Sequence, residues 1–170
     1  MDAVEVVAVV GSCAPERRQH ATRFAAMADR GLVPAARLAV SGDPIAEAIR
    51  LAPWSGLVRG AVIELPTETD VPELIGAMVE ARDRVRLTGV ICVVDAPHLL
   101  DDLDQDDHLP VRTAHGEEWI ARAMLAVRQI EYASTVVLVN WTPLPTAELS
   151  LVMSLISHLN PSPRLRLHRE

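Results

Sequence analysis

The sequence predicts an α/β domain of three layers, with a mostly parallel sheet of about six strands and helices on both faces. Short Val-rich runs alternate with longer segments of helical periodicity, the pattern of repeated βαβ units. Hydrophobic residues make up 49% of the chain and aromatics only 3%, so the core is built from Val, Leu, Ile and Ala, as in strands covered on both faces. A chain of 170 residues buries roughly two-thirds of its unfolded surface, enough for one core, and residues 1–170 are expected to form a single domain.

Taken in order, Val4 to Val10 predicts a buried first strand, followed by a turn at Gly11-Ser12-Cys13-Ala14-Pro15 and a helix from Glu16 to Arg30. Pro15 suits a first helical turn, where its missing N–H costs little. Arg37 to Val40 reads as a short strand closed by Ser41-Gly42-Asp43-Pro44, and Ile45 to Leu51 as a helix ended by Pro53. Leu57 to Leu65 is the third strand. Val71 to Arg86 is read as a helix because Leu74, Ile75, Met78 and Val79 share one face. Gly89 to Asp95 is continuously apolar and expected to be central. The acidic stretch Asp101 to His108 reads as a loop or frayed helix, and a long helix is expected over Glu117 to Tyr132. Thr135 to Asn140 is a fifth strand, Pro145 to Leu159 a final amphipathic helix, and Arg164 to His168 a last strand. Ligands in such sheets bind at the carboxyl ends of strands, so a site is expected in the segments after Val10, Leu65, Val94 and Val139.

A formal charge of -7 and a pI near 5.3 argue against nucleic acid or an anionic membrane as partner, since both require a basic patch. There is no run of about 18 apolar residues, and Met1 to Val10 has no basic leader character. A cytoplasmic protein is expected. Cys13 and Cys92, the two cysteines, are read as reduced thiols, too few for a disulfide scaffold or a four-thiolate zinc site.

The strand Gly89-Val90-Ile91-Cys92-Val93-Val94-Asp95-Ala96, the segment Gln129-Ile130-Glu131-Tyr132-Ala133 leading to Asn140, and Leu159-Asn160-Pro161 occur in one order and spacing. Together they resemble the CobW branch of P-loop GTPases, nucleotide-dependent metal chaperones and metal-homeostasis proteins. The resemblance covers nearly the whole chain and implies a P-loop NTPase-like fold. Against the family's phosphate loop, GxxxxGK[ST], this chain reads Gly11 to Arg18, with Glu16 for the second Gly, Arg17 for Lys and Arg18 for the magnesium-binding hydroxyl. Glu64-Leu65-Pro66-Thr67 stands where Glu-x-x-Gly is expected, with Thr67 for Gly. Asn140-Trp141-Thr142-Pro143-Leu144 replaces Asn-Lys-x-Asp-Leu and lacks the carboxylate that pairs with guanine. The family's CxCC metal motif has no counterpart, because residues 19–63 contain no cysteine, and the family's C-terminal domain is not expected in this chain.

The resemblance makes Gly11, Arg17, Arg18, Glu64, Asp95 and Asn140 the remnant nucleotide site. No catalytic residue and no metal ligand are assigned, and no cofactor is expected, with GTP and magnesium as the family-derived alternative. The turn after Val10 is expected to be too closed, or too crowded by Glu16 and Arg18, to accept a triphosphate. Arg17, Arg18 and Arg23 read as a solvated helix face or an anion site, and Asp95 as a helix cap or a magnesium-coordinating or switch carboxylate. Cys13 reads as an inert turn residue or a reactive thiol. The spacings of His98, His108 and His115 match no compact ligand motif. Trp54, Trp119 and Trp141 read as core or lid packing, with Trp141 as a cover for the base site or a partner anchor. The leading expectation is a CobW-like pseudo-GTPase without hydrolysis, acting through another protein in metal homeostasis. The alternatives are a GTP-binding metallochaperone with an atypical loop and an idle fragment of a longer protein.

Overall fold

A computed structural model describes residues 3–55, 59–113 and 115–168. The elements are β1 (Val4–Val10), α1 (Ala14–Met27), β2 (Gly31–Val33), α2 (Ala35–Leu38), α3 (Pro44–Ser55), β3 (Ala61–Glu64), α4 (Val71–Glu80) and β4 (Val85–Asp95). A 3-10 turn at Ala96–His98 follows, then α5 (Leu99–Asp104), β5 (His108–Thr113), β6 (Gly116–Ala121), α6 (Arg122–Glu131), β7 (Thr135–Val139), α7 (Thr146–Leu159) and β8 (Arg164–Leu167). Six strands form one sheet in the order β2-β3-β1-β4-β7-β8, every pairing parallel.

That order fixes where the helices lie. From β2 onward every crossover steps the same way across the sheet, and only the step from β1 to β2 goes the other way. Right-handed crossovers therefore put α1 on one face and the other crossover helices on the opposite one. The side chains divide accordingly. Val6, Ala8 and Val10 pack with Ile45, Leu74, Ile130, Val152 and Ile156 in a large core, whereas Val7, Val9, Ile91, Val93 and Val137 meet only the narrow stripe of Ala21 and Ala25 from α1, with Phe24 beside it. Helices do cover both faces, but very unequally.

Several boundaries differ from the sequence reading. The second strand is Gly31–Val33, and Ala35–Leu38 is a helical turn in place of the strand expected over Arg37 to Val40. Pro34 ends the strand, and the Glu64 carboxylate accepts the Ala35 N–H at 3.0 Å, which starts the helix. Pro53 lies inside the last turn of α3, where its missing donor removes a single backbone bond. Leu57 and Val58 of the expected third strand lie outside the described residues, and the strand itself is Ala61–Glu64. The helix expected over Val71 to Arg86 stops at Glu80, because Val85 and Leu87 pair with Val4 and Val6.

The largest correction is the helix expected from Glu117. Residues 116–121 are instead a strand paired antiparallel with β5, Trp119 opposite Pro110, and Gly116 at φ +129° makes the connection. Helix α6 starts only at Arg122, whose guanidinium forks onto Asp107 at 2.7 to 3.0 Å. The acidic run contains the short helix α5. No helix among the described residues is long and apolar enough to cross a membrane.

Candidate functional site

The strand order reverses at β1, so the carboxyl ends of β1 and its neighbour β4 form the crevice where ligands of such sheets bind. The chain leaves β1 through Gly11 at φ +149°, and a Cβ there would sit 2.3 Å from the Val93 carbonyl oxygen. Only glycine lets the turn pass that close to the β4 backbone.

On one side of the turn lies Arg17, which begins the inward stripe Arg17, Ala21, Ala25 of α1. It is only 3% exposed. Its Nη1 donates to the Gly11 carbonyl at 2.5 Å and to Thr67 Oγ1 at 2.9 Å, and its Nε donates to Glu64 Oε1 at 3.4 Å. Thr67 in turn donates to the Ser12 carbonyl at 3.3 Å. Burial lowers the Arg17 pKa, and fully buried Glu64 beside it opposes that shift. The side chain aligned with the phosphate-binding lysine thus points inward and ties three segments together. Arg17 fills the turn from inside, whereas Arg18, expected to crowd it, is exposed, its carbonyl accepting from Thr22 Oγ1; Glu16 is half-buried and near enough to Cys13 to act on its thiol. A solvated role for Arg17 is likewise overturned.

On the other side the groups are acidic. Asp95 closes β4, and the 3-10 turn after it eclipses positions i and i+3, which brings His98 over Asp95. His98 Nδ1 contacts Asp95 Oδ2, and this carboxylate raises the pKa of the exposed imidazole. Cys13, the residue before α1, points its Sγ at the same Oδ2 at 3.8 Å. Burial pushes the thiol up to about 12, with Asp95, Asp102 and Glu16 adding to the effect, so Cys13 is no thiolate nucleophile. Asn140, in the left-handed region at φ +54°, donates to Asp95 Oδ1 at 2.7 Å. Ser12 donates to Asp102 alongside. Asp95 makes no side-chain cap bond, so the capping role read from the sequence is replaced by contacts with His98, Cys13 and Asn140.

The structure therefore joins Gly11, Arg17 and Glu64 in one cluster, Asp95 and Asn140 in another, and leaves Arg18 outside both. His98 meets Cys13 and Asp95 rather than His108, which lies on β5, or His115, in the hairpin turn. The signal overlooked in the sequence is Asp-x-x-His directly after an apolar strand. Other family-like residues serve the scaffold. Asn160 donates to the Ile130 and Ala133 carbonyls at 2.8 and 2.9 Å, closing the end of α6, and Gln129 holds the Thr67 and Thr69 carbonyls. Trp141 donates to the His168 carbonyl at 3.0 Å, while Trp54 and Trp119 are exposed, contrary to a packing role for those two.

Two cavities flank the crevice without including residues 11–18. One of about 220 Å³ lies between the 66–70 loop and the hairpin, lined in part by Ser41, Glu68, Asp70 and Arg112. The other, a groove of about 730 Å³, runs along the thinly covered sheet face; Val7, Phe24, Ile91 and Val137 line it together with His20, Arg23, Arg164, Arg166 and His168.

The six-stranded parallel sheet with helices on both faces is a three-layer α/β architecture with its ligand crevice at the carboxyl ends of the strands. No protein-family model and no curated protein sequence matches the chain. Among solved structures it superposes on the Zn(II)-bound YjiA GTPase from E. coli, with a TM-score of 0.61 and 13% sequence identity over 99% of this chain. The chain spans 58% of that protein's length. The likeness shows the fold alone, three-layer α/β and P-loop NTPase-like.

Proposed function

We propose that this chain is a CobW-like pseudo-GTPase that does not hydrolyse nucleotide and acts through another protein in cytoplasmic metal handling. The observation that carries this reading is the Arg17 cluster. A triphosphate needs free backbone N–H groups and an unpaired cation at the turn after the first strand. Here the cation is engaged by Glu64, Thr67 and the Gly11 carbonyl. Freeing it leaves a buried carboxylate without its partner, at a cost of several kcal/mol. The acids on the opposite side of the turn repel phosphate further. Guanine selection has no carboxylate, since Pro143 stands in its place.

Titration calorimetry of the metal-stripped protein with GTP and with ATP, each with magnesium, tests this. No heat of binding is expected. Micromolar binding that disappears in Arg17→Ala overturns the reading in favour of a GTPase metallochaperone with an atypical loop, in which Arg17 serves as the lysine.

The surface best suited to a protein partner is the groove of about 730 Å³ beside α1. Its floor is apolar and its described charged lining residues are Arg23, Arg164 and Arg166, with no acid, in a chain of net charge -7. That combination fits an acidic amphipathic segment of the partner. An acidic amphipathic helical peptide is expected to bind there and to lose affinity at least about tenfold in Arg23→Glu/Arg166→Glu. Binding that ignores both substitutions removes the groove from the proposal.

A further inference from the structure

We infer that Cys13, Asp95 and His98 form a binding site for a borderline-soft divalent transition-metal ion of the zinc type, built where the fold otherwise serves a nucleotide. The ligand atoms of the three side chains all lie within 4.8 Å of one another, and among the described residues this is the one such convergence of three His, Cys, Asp or Glu groups. Tetrahedral zinc with bonds of about 2.0–2.3 Å places its donors roughly 3.3–3.8 Å apart. Cys13 Sγ and Asp95 Oδ2 stand at 3.8 Å. His98 is in direct contact with Asp95 and has to move outward by about an ångström to reach tetrahedral donor spacing. Its side chain is 62% exposed and free to do so.

The surroundings suit a cation. Asn140 holds Oδ1 of Asp95 and so leaves Oδ2 directed at the cluster, the orienting role that partners of metal-bound carboxylates play. Asp102 and Glu16 add negative potential near the thiol, while Arg17, the nearby cation, is turned away onto Glu64. The donor set of one sulfur, one nitrogen and one oxygen selects against magnesium and calcium, which take oxygen ligands. Three protein ligands leave a fourth position open on the solvent side at His98, as befits an ion that is picked up and passed on. When the ion binds, the thiol proton of Cys13 passes to buffer as the sulfur–metal bond forms, with no change of oxidation state.

This inference deepens the metal-handling part of the proposed function and rests on it, but it does not depend on the nucleotide result. The test uses cobalt(II), a zinc surrogate with a visible spectrum, added to the full metal-stripped chain without nucleotide. The expected result is a one-to-one titration with a sulfur-to-cobalt charge-transfer band and intense tetrahedral d–d bands, displaced by zinc and not by excess magnesium. Cys13→Ser is expected to abolish the charge-transfer band, and His98→Ala to weaken binding at least about tenfold. Cys92→Ala, which removes the buried thiol elsewhere on β4, is expected to leave the spectrum unchanged. Because His98 is exposed, its variant keeps the fold and guards against reading an unfolded Cys13 variant as a lost site. Absence of the band, or its persistence in Cys13→Ser, overturns the inference. A nucleotide heat observed in the calorimetry overturns the pseudo-GTPase reading instead, so the two failures are distinguishable.

Discussion

The two sides of the turn after β1 have opposite chemistry. On the Arg17 side a single cation is sealed among Glu64, Thr67 and the Gly11 carbonyl. On the Cys13 side, carboxylates of Asp95 and Asp102 crowd a neutral thiol and an exposed imidazole. The first is closed and structural; the second reaches solvent. The difference teaches that one short turn can hold two opposite chemistries. The buried arginine ties the loop together from within, and the acids on the other side give the open part of the crevice a negative potential.

The sharpest way to break this comparison is to remove the sealed cation. Arg17→Met leaves Glu64 buried and uncompensated, and chemical denaturation is expected to show a loss of about 3–5 kcal/mol. Adding Glu64→Gln should recover more than half of it, because the orphaned charge is then gone while the side chain still accepts the Ala35 N–H. If Arg17→Met costs no more than a surface change, the cluster does not hold the turn.

A smaller effect is expected at Asn160, which lies far from both sides of the turn. Its side chain donates to two carbonyls at the end of α6 and is 7% exposed. Asn160→Ala is expected to cost about 1–3 kcal/mol in the same assay and to leave cobalt binding unchanged. A change in the cobalt spectrum would instead couple the α6 end to the crevice.

The smallest expected effect is a pH dependence from His20, on the groove side of α1. Burial lowers its pKa, with His168 and Arg23 contributing in the same sense. The unfolded chain therefore binds the proton first. Stability from this group is present above its ordinary value near 6.5 and is lost as the pH falls through the folded value. Denaturation between pH 7.5 and 5.5, in about half-unit steps across the His range, should show a slope that His20→Gln flattens. An equal slope in both proteins would assign it to other groups.

Much of the fold was legible in the sequence for reasons that can be named. Val6–Val10 of β1, Val90–Val94 of β4 and Val136–Val139 of β7 are continuous apolar runs because both faces of each are covered, and such runs survive any error in helix placement. Glu117 to Ala121 defeated the reading, since Glu-Glu-Trp-Ile fits a helix start as well as an exposed hairpin strand. Only pairing with His108–Thr113 separates the two. Within the site, the residue types Glu16, Arg17 and Arg18 at the start of α1 could be read directly. Whether Arg17 faces a phosphate or the interior could not, because its partners Glu64 and Thr67 lie 47 and 50 residues away.

The sequence by itself determined an α/β fold with a parallel sheet, a net negative charge and a first-strand turn that leads from Gly11 into Glu16, Arg17 and Arg18. These are local and compositional properties, carried by runs and spacings within each segment. The tertiary structure alone decided that, among the described residues, the strand order leaves α1 by itself on one face, that Arg17 is buried with Glu64, and that Cys13, Asp95 and His98 converge. Each of these depends on contacts between segments tens of residues apart, and strand order and crossover direction, which no local pattern encodes, bring those segments together.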